Sequence, residues 1–216
     1  MEDKFMIVYK GGSGEIVEKK SRFIAKVVPV KTEGEALQWL ESVRKEYWDA
    51  KHHCFAYVIG ERDECARCSD DGEPAQTAGK PMMDMLLGEQ LHYVAAVVTR
   101  YFGGTLLGTG GLVRAYGGAL REGLSHCVIT QRLSCIRLRV TCDYNALGKI
   151  QYEAAKLGIP AGEEAYTDVV SMTWIAQDQQ KDRFIKKLLE VTSGRVKIEE
   201  VGRCFAVLQE GKLQVL

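Results

Sequence analysis

A continuous apolar run, Val94 to Thr99, leads into a glycine-dense loop and then into residues with helical spacing. The β-branched residues of the run are typical of a strand that is covered on both faces. Beyond Gly111, apolar side chains recur every three or four positions, which predicts a helix. The glycines between them allow positive φ angles and close approach of the backbone. The pattern therefore predicts a strand, a glycine loop and a helix N-terminus in succession.

The residues before this junction alternate between strand-like and helix-like patterns. Thr32 is predicted to cap a helix, with Glu35 completing a capping box, and Pro81 suits the first position of another helix. The predicted elements are strands at 5–10 and 15–30 joined by a turn at Gly11–Gly14, a helix from Thr32, a strand at His53–Ile59, a long polar loop at 60–80 and a helix at 81–88.

The helical pattern of the central helix ends near Ser125, and residues 126–133 are predicted to form a connector. A second set of strand and helix patterns follows. The predicted elements are a strand at 135–142, a helix capped by Asp143 or Asn145 that runs to Leu157, strands at 162–168 and 170–177, a helix at 178–191 and a last strand or pair within 196–209. The order βαββαβ is ferredoxin-like, a two-layer α+β sandwich. We therefore predict two α+β domains, residues 1–133 and 134–216.

Composition narrows the class of protein. A chain of 216 residues with 46% hydrophobic residues can hold ordinary cores. The formal net charge is zero, and neither half is a basic domain, which argues against strong non-specific binding of nucleic acid. No apolar stretch approaches the roughly 20 residues that a membrane span needs, and the first ten residues lack a signal-peptide pattern. We expect a cytoplasmic protein.

The seven scattered cysteines do not resemble a secreted disulfide framework, and most are interpreted as small buried residues. Cys65 and Cys68 have the spacing of half a zinc site, but no second pair of ligands follows them. Two surface thiols in a loop are the simpler interpretation.

The central junction is a candidate site for an anion. A helix N-terminus offers free N–H groups and the positive end of a dipole, and arginines add charge-assisted bonds. Tight packing alone also explains such glycines, and the P-loop and dinucleotide fingerprints are both incomplete here. The candidate residues are Arg100, Gly103, Gly104, Gly108, Thr109, Gly110, Gly111 and Arg114.

An acidic loop is the second candidate. Its carboxylates, Asp70, Asp71 and Glu73, are suited to holding Mg²⁺ or to acting as a general base, and equally to forming turns and caps. The associated candidates are Thr77 and Lys80 in the same loop and His52 and His53 at the start of a strand. A basic helix face in the second domain is either a nucleic-acid patch or a solvated surface, and comprises Lys181, Arg183, Lys186, Lys187, Arg195 and Lys197.

Four ordered motifs together resemble the IMPACT/YigZ family: Ser21-Arg22-Phe23, the segment Ala50–Tyr57, the segment Ser69–Pro81 and the segment Arg100–Tyr116. The resemblance implies an N-terminal domain of the ribosomal protein S5 domain 2-like type, with two helices on one face of a sheet. It also implies a ferredoxin-like C-terminal domain similar to the last domain of a translocating elongation factor. Eukaryotic members of the family regulate translation and carry a further, partner-binding N-terminal domain, which we expect this chain to lack.

Two functional hypotheses follow. The first is a non-enzymatic binding module that regulates translation by contacting the ribosome, RNA or a translation factor, with no cofactor and no membrane contact. The alternative is an enzyme or nucleotide-binding protein that acts on a phosphorylated small molecule, with the glycine loop and Arg114 holding phosphate and Asp70 or Asp71 holding Mg²⁺. The family resemblance supplies no catalytic residue for this chain.

Overall fold

The computed structural model describes residues 6–209 and 211–216. The chain divides into two units, Met1–Gln131 and Arg132–Leu216. The elements of the first unit are β1 (Met6–Lys10), β2 (Gly12–Glu18), β3 (Ser21–Pro29), α1 (Glu33–Glu46), β4 (His52–Ile59), β5 (Cys65–Ser69), α2 (Gly79–Gly88), β6 (Leu91–His92), β7 (Val94–Tyr101), α3 (Thr109–Ser125) and β8 (Val128–Gln131).

A five-stranded sheet with the order β2-β3-β7-β4-β5 forms the centre of the first unit, and all neighbouring strands are antiparallel. Alternate residues of β7 enter different cores. Val94, Ala96 and Val98 pack with α2 and α3, whereas Ala95 and Val97 pack with α1. β7 is therefore covered on both faces, as its sequence predicts. The pair α2 and α3 lies on one face, and α1 is a third helix on the opposite face that the family resemblance did not include.

The predicted hairpin between residues 5–10 and 15–30 is wrong. β1 instead joins a small second sheet with the order β6-β1-β8, and β2 pairs with β3. The turn lies at Lys19 and Lys20, which both have positive φ angles of 45° and 67°. Gly12 and Gly14 lie within β2 because the end of α3 crosses there: a Cβ at Gly14 would meet the Glu122 carbonyl carbon at 2.6 Å. These glycines permit close packing rather than a turn.

Two predicted irregular segments contain strands. Residues 60–80 include β5, which pairs with β4, and residues 126–133 include β8, which pairs with β1. Both strands are short, partly exposed edge segments, so their sequences lack the apolar run of a central strand. The methionine-rich helix α2 also begins earlier than predicted, at Gly79, and Pro81 is its third residue.

The second unit consists of β9 (Leu133–Cys142), α4 (Tyr144–Lys156), β10 (Ala161–Tyr166), β11 (Val170–Gln177), α5 (Lys181–Val191), β12 (Lys197–Gln209) and β13 (Lys212–Val215). Its sheet has the order β10-β11-β9-β12-β13 with antiparallel neighbours throughout. The helices α4 and α5 pack on one face through a core that includes Leu138, Trp174 and Phe184. The strand residues that alternate with those of this core form the other face of the sheet, away from α4 and α5.

The predicted helix starts are confirmed where a side chain caps the backbone. Thr32 accepts a hydrogen bond from the Glu35 amide at 3.2 Å, and Asp143 accepts one from the Ala146 amide at 2.8 Å. Across the described part of the chain, none of the helices combines the length and hydropathy needed to traverse a bilayer.

Candidate functional site

A buried ion pair joins the acidic loop to the end of β7. The Arg100 guanidinium donates to the Glu73 carboxylate at 2.6 Å, and the two side chains are only 6% and 4% exposed. The Tyr116 hydroxyl of α3 donates to the same carboxylate oxygen at 2.9 Å. One carboxylate thus connects the loop, the sheet and the central helix. The acidic loop and the glycine loop therefore lie side by side.

The glycine loop is fixed at its first glycine. The Gly103 amide donates to the Ser21 hydroxyl at 3.1 Å, and a Cβ at Gly103 would lie 2.0 Å from the Lys20 carbonyl carbon. The contact with the β2–β3 turn leaves no room for any side chain. Gly103 is therefore required for packing. Gly104 and Gly108 instead have positive φ angles of 86° and 71° with open space around them.

Asp70 stabilises the start of α2. Its carboxylate accepts hydrogen bonds from the Gln76, Ala78 and Gly79 amides at 2.8 to 2.9 Å. Burial alone would raise the pKa of Asp70, but the backbone amide donors outweigh burial and lower the pKa below its ordinary value. Both carboxylate oxygens are engaged by the backbone.

Asp71 and the two histidines tie the acidic loop to β4. Asp71 accepts the His53 amide at 2.7 Å and lies 3.4 Å from the Arg44 guanidinium. A ring nitrogen of His52 lies 2.9 Å from the Asp71 carbonyl, and a ring nitrogen of His53 lies 3.1 Å from the Thr99 hydroxyl. Burial lowers the pKa of His53, although the neighbouring Asp71 charge acts in the opposite direction.

The remaining side chains of the acidic loop also make local bonds. The Thr77 hydroxyl donates to the Pro74 carbonyl at 2.6 Å, and Lys80 forms an exposed ion pair with Asp84 one turn along α2. The Cys54 thiol donates to the Asp70 carbonyl at 3.0 Å, and burial raises the pKa of that thiol to about 12. Cys54 is therefore protonated and unreactive at neutral pH.

The start of α3 is the exposed part of this region. Gly108 precedes the helix without a side-chain hydrogen bond to the first turn, and Thr109 and Gly110 are exposed. The Arg114 guanidinium points back along the helix, with one nitrogen 3.9 Å from the position of a Cβ on Gly110. Arg114 has no ion pair in the described residues. Arg100, by contrast, is buried and neutralised by Glu73, so Arg114 is the cation at the helix N-terminus.

Large apolar side chains surround the same exposed loop. Leu106 is 84% exposed and Phe102 is 55% exposed, and Val113 in the first turns of α3 is also exposed. The Arg100 guanidinium lies 5.5 Å from the Phe102 ring centroid, which holds the base of the loop against the buried ion pair. We call Phe102, Leu106, Val113 and Arg114 the loop surface. Exposed apolar side chains beside a cation are typical of a surface that binds a partner.

Among the described residues, no three His, Cys, Asp or Glu side chains group closely enough to hold a metal ion. Of the basic residues predicted on the second unit, Lys181, Lys187 and Lys197 pair with neighbouring glutamates. That pairing reduces the positive charge available to a nucleic acid there.

Sequence reasoning missed four contributors. Tyr116 and Ser21 belong to the quoted motifs, but Tyr116 bonds to Glu73 and Ser21 bonds to Gly103. Each pair is far apart in sequence, so no pattern among neighbouring residues predicts these bonds. Phe102 and Leu106 had a signal, because two large apolar residues beside glycines in a predicted loop are unusual.

Comparisons with known proteins cover both units. The model of the Impact N-terminal domain matches residues 19–124, and that of a domain of unknown function (DUF1949) matches residues 140–195. The IMPACT family member YvyE of Bacillus subtilis is 40% identical over 93% of this chain and 92% of that protein. The IMPACT family member YigZ of Escherichia coli is 38% identical over 92% of this chain and 90% of that protein.

A relative that matches over part of its length and a solved structure are also similar to this chain. A protein named Protein IMPACT homolog from Dictyostelium discoideum is 39% identical, but over 47% of this chain and 29% of its own length. A crystal structure of a hypothetical protein superimposes with a TM-score of 0.60 at 32% identity and covers 94% of this chain and 99% of that one.

Proposed function

Because this chain belongs to the IMPACT family, we propose that it is a non-enzymatic, cytoplasmic binding protein that regulates translation. The proposed contact is the loop surface, which would bind the ribosome, its RNA or a translation factor. The name of the Dictyostelium relative and the family's role in eukaryotes suggest regulation. The observation that carries the proposal is the exposure of Leu106 and Phe102 on a loop whose first glycine, Gly103, is hydrogen-bonded to Ser21.

The bonding of the acidic loop supports binding rather than catalysis. The carboxylates of Asp70, Asp71 and Glu73 all accept hydrogen bonds that hold backbone or side chains in place. A general base must lie within reach of a substrate proton, whereas the Glu73 side chain is buried and the Asp70 carboxylate is held by three backbone amides. These residues instead make a rigid support for the loop surface, so that a partner meets a preorganised contact.

A second candidate is a phosphate-bearing small ligand at the N-terminus of α3. The uncapped first turn and the Arg114 guanidinium favour it. Mg²⁺ held by Asp70 or Asp71 is less compatible, because coordination would displace the backbone amides from Asp70. Stabilisation by a nucleotide with Mg²⁺ that Arg114→Ala removes, measured by thermal unfolding, would support this candidate over the first.

The architecture is also compatible with the proposed fold types. The strand order β10-β11-β9-β12 places the fourth strand of a βαββαβ unit beside the first, which supports a ferredoxin-like second domain. The pair α2 and α3 on one face of the first sheet supports the ribosomal protein S5 domain 2-like type. We take residues 1–133 and 134–216 as the two domains.

Co-sedimentation with purified bacterial ribosomes across a salt series tests the proposal. Arg114→Ala and Leu106→Ser are expected to weaken saturable binding, by about tenfold each if both contacts are desolvated. Arg121→Ala is the matched control, because Arg121 is an exposed arginine two turns further along α3. An absence of binding at low salt, or equal weakening by the control, would refute the loop surface as the contact.

A further inference from the structure

The second unit contains a cavity on the face of its sheet that α4 and α5 do not cover. Its volume is about 440 Å³, and its lining includes Arg137, Arg139, Glu163, Thr173, Ile175 and Val201. Cavities of roughly 300–1,000 Å³ accommodate small molecules up to the size of a drug or nucleotide. The face is distinct from the loop surface, which belongs to the first unit.

Strand alternation produces this face. Ile136, Leu138 and Val140 of β9 enter the core under the helices, so Arg137 and Arg139 project from the other side of the same strand. β9 is the central strand of the sheet. Two arginines therefore stand at the middle of the face, about 7 Å apart along the strand.

Neither arginine is neutralised within the sheet. Directly beside Arg137 are Ile175 of β11 and Gly202 of β12. Beside Arg139 are Thr173 and Glu199, but the Glu199 carboxylate pairs with Lys197 at 2.9 Å. In the described residues, neither guanidinium has an ion pair. Two like charges on neighbouring positions repel, and a bound anion would relieve that repulsion.

The rest of the lining indicates what else the ligand carries. The Thr173 side chain can bond to a phosphate oxygen, and Ile175 and Val201 offer apolar contact to a ring or chain. Glu163 is the one carboxylate of the lining, so the described lining has a net positive charge and an acceptor for ligand hydroxyl groups. Gly162 also lines the cavity, close to the Thr173 carbonyl oxygen.

We propose that this cavity binds a phosphate-bearing small molecule of nucleotide size, with Arg137 and Arg139 holding the phosphate and Glu163 accepting from ligand hydroxyl groups. The guanidinium fork matches phosphate oxygens, and a pair of such groups gives both charge and orientation. The inference does not depend on the loop surface, because its residues lie on different elements of a different unit.

Titration calorimetry of the full chain tests the proposal with inorganic phosphate, ribose 5-phosphate, adenosine 5′-monophosphate and uncharged adenosine as probes. Saturable binding is expected for the phosphate monoesters and not for adenosine. Arg137→Gln and Arg139→Gln should each raise the Kd by about tenfold or more, since each removes charge-assisted hydrogen bonds. Arg183→Gln is the matched control, because Arg183 is an exposed arginine on α5.

Methyl NMR gives a second readout that does not rely on the variants. A ligand in the cavity should shift the Ile175 methyl resonances and leave Ile150, in the core under the helices, unchanged. The proposal is overturned if no probe binds, if Arg114→Gln abolishes binding while Arg137→Gln does not, or if only a single-stranded oligonucleotide binds.

Discussion

Glu73 and Arg100 form a buried ion pair between residues that belong to two different sequence motifs. The pair spans 2.6 Å, and the Tyr116 hydroxyl completes it. Arg100 also lies 5.3 Å from the Phe23 ring centroid, and its Nε atom has no hydrogen-bond partner in the described residues. Each charge is buried away from water and is compensated by the other. Removal of either side chain therefore leaves an uncompensated buried charge, which destabilises the fold.

The first prediction concerns this pair. Arg100→Met should destabilise the chain by about 3–5 kcal/mol, because it leaves the Glu73 carboxylate buried without a countercharge. The double variant Arg100→Met with Glu73→Leu should recover most of that free energy of unfolding. Urea denaturation of both single variants and the double variant measures the coupling. Simple additivity of the two single effects would contradict a buried pair.

The second prediction concerns pH. The pKa of Asp70 is lower in the folded chain than its ordinary value of about 3.9, so the carboxylate contributes stability above that pH. This contribution is lost as pH falls through the folded pKa. Asp70→Asn should therefore cost about 1–2 kcal/mol at pH 7 and reduce the slope of stability against pH in acid.

The control for Asp70 is Asp84→Asn, which removes an exposed carboxylate from α2, the helix whose first amides Asp70 accepts from. Denaturation at a series of pH values below 5 should show the reduced slope for Asp70→Asn alone. Equal slopes in the two variants would mean that Asp70 does not titrate with unfolding.

The third prediction separates glycines needed for packing from the others. Gly103→Ala should destabilise the chain by about 1–3 kcal/mol, since its Cβ would overlap the Lys20 carbonyl. Gly88→Ala has nothing within 4 Å and lies in α2, so a gain of up to about 1 kcal/mol is expected. Thermal unfolding distinguishes the two. A neutral Gly103→Ala would show that the β2–β3 turn can move away.

The fourth prediction uses two cysteines in register. Cys135 of β9 and Cys204 of β12 are direct cross-strand partners, and both thiols are free. Such partners have Cα atoms about 4.5–5.5 Å apart, within the range of a disulfide. Oxidised glutathione should link them by accepting two electrons and releasing two reduced glutathione molecules. Burial raises the pKa of Cys135 to about 12, so attack should begin at the partly exposed Cys204.

Mass spectrometry of peptides from the oxidised chain detects that link, and Cys204→Ser should abolish it. Mixed glutathione disulfides without any cross-link would show that the strands hold the sulfur atoms apart.

Features set by neighbouring residues were predictable from sequence. The helix caps at Thr32 and Asp143 each bond to an amide three residues further along the chain. The burial of β7 is likewise indicated by the apolar run of its own residues. The features that depend on packing between distant segments were not predictable. The turn at Lys19–Lys20 uses residues that do not signal positive φ, while nearby glycines serve helix packing.

The candidate site divides in the same way. The sequence indicated the acidic and glycine loops as separate candidates, and the structure shows that Arg100 pairs with Glu73 while Arg114 stays exposed. Ion pairs between residues far apart in sequence have no periodicity by which to recognise them. Exposure likewise depends on packing that no single segment contains.

The small sheet β6-β1-β8 ties the earliest described strand to the last strand of the first unit, with Met6 paired to Gln131. During synthesis, β1 would leave the ribosome long before its partners exist, with Ile7 and Val8 unburied on the nascent chain. Such distant pairing gives a high contact order, which slows folding and prolongs exposure to aggregation. The small sheet can be completed only after β8 has emerged, so a chain stalled within α3 would leave β1 without its β8 partner.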